Sequence, residues 1–174
     1  MGNQQERSLA WLAGILDGEG SISVQVYNLP DGRVRLTPFA CIVNSDPFIL
    51  AEARRIFAEI GVAYRNCGAA ISKQENGSFE GKKLCSTIRC DGQEPVEKLC
   101  RVLLPYLISA KRHHAEVVCE YIAERRAMGV QRNEKGHCRR VEYTRRQIEL
   151  ISSIRSHKRA KSSEAICQAP NVVG

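Results

Sequence analysis

The residues best suited to chemistry are two carboxylates, Asp17 and Glu19, in the run Leu12-Ala13-Gly14-Ile15-Leu16-Asp17-Gly18-Glu19-Gly20. Ser8 can cap a short helix whose apolar members are Leu9, Trp11, Leu12, Ile15 and Leu16, and the run is its C-terminal end. Gly18 and Gly20 bracket Glu19, so the backbone there is free to turn tightly or left-handed while it presents the carboxylate. The negative end of a helix dipole gives a carboxylate no support, so a proton or a cation is needed beside it. A metal ion is one answer. An ordinary helix-to-strand turn with two solvated acids is the other.

Eight cysteines offer a second chemistry, as a disulfide framework or a zinc site. The chain is longer than a disulfide-stapled mini-domain, and Met1 to Arg7 is too polar to begin a secretory signal. Cys85, Cys90 and Cys100 lack paired short-loop spacing, and His137-Cys138 has no second pair. Within Phe39–Val43, Ser86–Cys90 and Val117–Cys119 the cysteines stand where small apolar residues would, as free thiols.

Around the acidic turn the pattern alternates with period two. Ile22, Val24 and Val26 face one way and Ser21, Ser23, Gln25 and Tyr27 the other. Pro30-Asp31-Gly32 is a turn signal, and Arg33 to Thr37 resumes the alternation before Phe39–Val43, so the pair reads as a hairpin. Ser45 or Asp46 can cap the next helix ahead of Pro47, with Phe48, Ile49, Ala53, Ile56, Phe57 and Ile60 as its stripe and Gly61 at its end. A second hairpin runs from Val62 through Asn76-Gly77 to Cys90. In it Tyr64, Asn66 and Gly68 share one phase and Lys83, Thr87 and Arg89 another; a slip of one residue would invert its faces. Helices follow around Val96 to Leu104, from Lys111 to Met128 and from Tyr143 to Ser156, with Gln131 to Arg140 as a polar loop. The fold expected is α+β: a four-stranded, mixed or antiparallel sheet covered by helices on its apolar face, in α-β-β-α-β-β-α order with additional C-terminal helices.

The 174 residues suit one domain, spanning 1–160 with a lightly packed tail over 161–174. Net charge is +7, and residues 1–110 balance twelve basic against twelve acidic side chains, so the whole excess lies in 111–174. Such a balance favours a polyanionic partner, nucleic acid ahead of a membrane surface. No run is long and apolar enough for a membrane span. An intracellular setting is expected, cytoplasmic in a prokaryote or organellar in a eukaryote.

Leu12 to Gly20, with the hairpin after it and the Lys111 region, closely resembles the motif of the LAGLIDADG homing endonucleases, over roughly residues 8–156. The resemblance is to the single-motif, intron-encoded members, since no second copy is present. It implies that motif helices of two subunits pack together, with Leu9, Leu12, Ala13, Leu16 and Asp17 at the seam of a homodimer and Ala13-Gly14 allowing close approach. It also implies Glu19 as metal ligand, assisted by the Gly18 carbonyl, with Mg2+ as cofactor and Mn2+ as substitute. Phosphodiester hydrolysis needs a hard divalent cation to activate water and neutralise charge, which suits oxygen ligands.

By the same resemblance Asn44 or Ser45 organises the catalytic water: spacing favours Ser45, while an amide that both donates and accepts favours Asn44. Either residue is also placed to cap a helix. Lys111, after Pro105-Tyr106-Leu107, takes the place of a lysine that steadies water or phosphate charge, with Arg112 against backbone phosphate. Base reading falls to Ser23, Gln25, Tyr27, Arg33, Arg35 and Thr37, with Gln25 suited to adenine and the arginines to guanine. Tyr64, Asn66, Lys73, Lys83, Thr87 and Arg89 extend this set, and Arg139, Arg140 and Lys158 are candidate phosphate contacts. The expected activity is site-specific hydrolysis of both strands of a long, pseudo-palindromic double-stranded DNA. An intron-splicing maturase, with intron RNA as partner, or a non-cleaving binder on this fold is the alternative.

Overall fold

The computed structural model describes residues 2–31, 34–70, 85–129, 131–132, 138–139, 142–154 and 156. The expectations for Arg33, Lys73, Lys83, Arg140, Lys158, the Asn76-Gly77 turn and the 161–174 tail lie outside these residues.

Helix α1 spans Gly2–Glu19, so Ser8 lies inside it rather than capping it. Gln4, Gln5 and Glu6 are good helix formers and extend it by more than a turn. Leu9, Leu12, Ala13 and Leu16 recur at helical spacing and are all buried. Strand β1 (Gly20–Asn28) follows without a loop and pairs antiparallel with β2 (Val34–Asn44), from Gly20 opposite Ile42 to Asn28 opposite Val34. Gly20 is required by close approach: a Cβ there would lie 2.7 Å from the Leu16 carbonyl oxygen and 2.9 Å from its Cα. Of the tight and left-handed geometries open to this turn, neither Gly18 nor Gly20 takes the left-handed one.

Helix α2 (Pro47–Glu59) starts at Asp46, whose carboxylate accepts the Phe48 N–H at 2.8 Å. Leu50, Ala53, Ile56 and Phe57 form its buried stripe, whereas Phe48 is 82 % exposed. Gly61, at φ 62°, turns the chain away. Strands β3 (Arg65–Ala70) and β4 (Cys85–Asp91) are antiparallel, with a register shift between Cys67 and Ala70. Helices α3 (Gln93–Leu103) and α4 (Ala110–Ala127) complete the core. The polar stretch read as a loop holds two short paired strands, β5 (Gln131–Arg132) and β6 (Cys138–Arg139). A last helix, α5, covers 145–154 and buries Gln147, Leu150, Ile151 and Ile154, whereas Ile148 is 55 % exposed.

The sheet order is β1-β2-β4-β3, all antiparallel, and helices cover one face, as the α+β reading expected. Ile22, Val24, Ala40, Ile42, Ile88 and Cys90 point from the sheet into the core, where they meet the buried stripes of the helices. Burial pushes the Cys90 thiol up to about 12, so it sits in the core as a small, inert hydrophobe. Among the described residues no helix is long and apolar enough to cross a membrane. Beyond the end of β4, the Leu36 N–H on β2 donates to the Tyr143 hydroxyl at 2.8 Å, and the Arg125 guanidinium lies 4.7 Å over the Tyr143 ring. The segment before α5 thereby holds the outer half of the first hairpin.

Candidate functional site

Two features meet at the C-terminal end of α1. The first is a junction between α1 and the start of α4. The Asp17 carboxylate accepts the Ile108 N–H at 2.9 Å, the Ser109 N–H at 3.4 Å and the Ser109 hydroxyl at 2.5 Å. Ser109 in turn caps α4, accepting the Lys111 N–H at 3.1 Å. Asp17 thus stands at the unfavourable end of one helix dipole and the favourable end of another. The Lys111 ammonium donates to the Asp17 carbonyl, one of the carbonyls the helix end leaves without an internal partner. Lys111 is thereby held against the turn that carries Gly18 and Glu19, and Glu19 is exposed as the last residue of α1.

Asn44 ends β2 at the same edge, because Gly20 pairs with Ile42 two residues earlier. Its side-chain carbonyl accepts the Asp46 N–H at 2.8 Å, so that oxygen shapes the start of α2. Ser45 is exposed in the turn. Among the described residues no three of His, Cys, Asp and Glu gather as a metal cage.

The second feature is the face of the sheet turned away from the helices. Opposed residues of an antiparallel pair share a face, so the register joins Ser23, Gln25, Tyr27, Arg35, Thr37, Phe39, Cys41, Thr87, Arg89 and Asp91 on one side. Ser23 is buried there, while Gln25, Tyr27 and Thr37 are half-buried and Arg35 is exposed. A polar network crosses the strands. Arg89 lies 4.2 Å over the Phe39 ring, donates to Asp91 at 2.6 Å and donates to the Gln25 carbonyl. Tyr27 donates to that same carbonyl oxygen at 2.8 Å, and the Arg35 guanidinium lies 5.3 Å over the Tyr27 ring. Arg65, opposite Arg89 on β3, donates to the second Asp91 oxygen at 2.8 Å. Burial raises the Asp91 carboxyl, but the hydrogen bonds from Arg89 and Arg65 outweigh it and hold the group below its usual value.

Two sets of expectations are corrected. Tyr64 and Asn66 do not belong to the open face. Asn66 opposes core-facing Ile88 and accepts from Arg54 of α2 at 2.9 Å, and Tyr64 packs edge-on against Phe57 at 5.6 Å. Only β3 is out of phase with the expectation: Arg65 and Cys67 take the place assigned to Tyr64 and Asn66, whereas Thr87 and Arg89 of β4 lie on the open face as expected. Leu9, Leu12, Ala13 and Leu16 are not available to a seam between subunits, because the chain's own core buries them. The side of α1 left outside carries Arg7, Ala10 and Gly14, and a Cβ on Gly14 would meet no atom within 4 Å. Asp17 spends its carboxylate within the chain. Arg112 forms a surface ion pair with Glu116 at 3.5 Å, and Arg139 lies in β6. Arg65 and Asp91 escaped the sequence reading: Asp91 is the last residue of β4, next to the Gly92 that precedes α3, while Arg65 needed a β3 register that its bulge obscures.

No family model matches the sequence, and no curated protein matches it. Solved structures do. The homing endonuclease I-CvuI, in complex with its target in the presence of Ca, shares 24% identity at a TM-score of 0.50, over 70% of this chain and 69% of that one. I-CvuI on another target in the presence of Mg shares 19% at 0.50, over 87% and 96%. The LAGLIDADG homing endonuclease I-SmaMI, bound to cleaved DNA, shares 18% at 0.51, over 84% of this chain but only 42% of that one. At these identities the likeness is one of architecture: the chain has a homing-endonuclease fold.

Proposed function

We propose that this chain is a single-motif LAGLIDADG endonuclease that binds a long, pseudo-palindromic DNA duplex as a homodimer and hydrolyses both strands with Mg2+. The observation that carries the reading is the α1–α4 junction, where Ser109 and Lys111 fasten the helix end that delivers Glu19. The structural neighbours, described in complex with DNA, support the duplex as partner.

The donor set suits a hard divalent cation. Magnesium is commonly held by one or two carboxylates together with substrate phosphates, so a complete protein cage is not required. Glu19 and the Gly18 carbonyl would hold the ion, which supplies Lewis acidity and charge neutralisation for phosphodiester hydrolysis. The Lys111 ammonium, a positive charge at the same turn, balances charge developing on a nearby phosphate. Asp17 is a positioning residue, acting through the loop that it pins. The exposed side of α1, at Arg7, Ala10 and Gly14, receives the second subunit and so brings a second Glu19 to the centre.

Exchanging Glu19→Gln tests this reading. The variant is expected to keep dimerisation and duplex binding while losing magnesium-dependent cutting. Full cutting by the variant would overturn the assignment.

A further inference from the structure

Gln25 lies at the centre of the open face of the sheet, and its partners settle which way its amide points. A guanidinium carries donors only, so the Gln25 atom that Arg89 meets must be the carbonyl oxygen. Tyr27 donates to the same oxygen, and an amide oxygen has two lone pairs. Both are filled from within the chain. What remains for a ligand is the amide N–H2 end, which donates and cannot accept.

The surroundings reinforce this. Each oxygen of Asp91 accepts from one guanidinium, one from Arg89 and the other from Arg65, so two cations counter the charge of the neighbouring carboxylate. Arg65 uses its Nε on Asp91 and leaves a side chain that is 62% exposed. The patch from Gln25 to Arg65 therefore presents donors.

We infer, on the basis of the DNA-reading function proposed above, that Gln25 is a specificity-determining residue for guanine rather than the adenine reader its residue type suggests. In the major groove guanine shows two adjacent acceptors, N7 and O6, whereas adenine shows an acceptor beside the N6 donor. A glutamine that reads adenine needs its carbonyl for that N6 donor. Here the carbonyl is spent, so adenine offers the amide only N7 and its N6 donor finds no acceptor, whereas guanine offers both N7 and O6. The fixed network also presents the amide already oriented, without the rotamer loss that a free glutamine incurs on binding.

The test uses the full chain and a randomised DNA duplex library with Ca2+ in place of Mg2+, so that binding is read without cutting. The wild type is compared with Gln25→Ala and Gln25→Glu. The position that loses its preference in Gln25→Ala is the one Gln25 reads. There the wild type should favour guanine over adenine by about tenfold, the scale of one specific base contact. Gln25→Glu keeps an oxygen for Arg89 and Tyr27 but turns the outward end into an acceptor, so the preference should move to cytosine or adenine, which offer donors. Wild-type preference for adenine at that position, or identical preferences in the two variants, would overturn the inference and leave the endonuclease reading standing. Failure of the wild type to bind any duplex would instead remove the reading on which it rests.

Discussion

Asp17 and Glu19 are two residues apart and have opposite fates, decided by what each side chain meets. Asp17 turns toward the start of α4 and takes three donors, while Glu19 reaches the end of the helix and remains exposed. Removing the Asp17 carboxylate strands those donors, so Asp17→Ala should cost about 1–3 kcal/mol, read as a shifted midpoint in urea unfolding. An unchanged midpoint would show that the junction holds without it. Gly20→Ala forces a methyl group against the backbone of Leu16 and should destabilise the chain, whereas Gly18→Ala meets open space. Equal thermal midpoints for the two variants would contradict the close-approach account. At this scale the acids at the end of α1 and the lysine at the start of α4 were legible as neighbours, and the structure joins Lys111 to Asp17. The orientation of Gln25 was not: it depends on Arg89, sixty-four residues away.

For the elements, periodicity told which side of a helix is apolar but not what covers it. The stripe Leu9, Leu12, Ala13 and Leu16 is equally consistent with a partner subunit and with the chain's own core, and the core takes it. The strict alternation of β1 and β2 gave the correct face for Gln25 and Arg35, whereas the bulge in β3 left the phase of that strand unreadable. The fastening of α3 to α4 was invisible in the sequence. Buried Glu97 accepts from Arg126 across the helix pair and from Arg101 on its own helix. Arg126 first, with Arg101 adding to it, holds the Glu97 carboxyl below its ordinary value against the opposing effect of burial. A folded value below the unfolded one stabilises the fold above the ordinary glutamate pKa and is lost as pH falls through the folded value. The stability advantage of the wild type over Glu97→Gln should therefore shrink from about pH 5 downward. A difference that stays constant to lower pH would show that Glu97 packs without contributing charge.

Taken whole, the chain has a homing-endonuclease fold in which one end of one helix sets both the acid and the lysine. The net charge of +7 says which kind of partner suits the protein but not which face receives it; under the proposed function that is the open face of the sheet, whose members the strand register defines. With one motif per chain, the proposed enzyme is complete only as a pair. Sedimentation at micromolar concentration should give twice the chain mass, and Gly14→Leu, on the exposed side of α1, should return it to the monomer while leaving the fold intact. A wild-type monomer, or an unaffected dimer in Gly14→Leu, would move the seam away from α1.

As proposed, two copies of this chain cut both strands of a symmetric site. Cleavage selection from a randomised duplex library with magnesium should then recover sequences that are cut on both strands and related by an approximate two-fold axis. Recovery of sequences that are bound but never cut, or cut without any such symmetry, would contradict it.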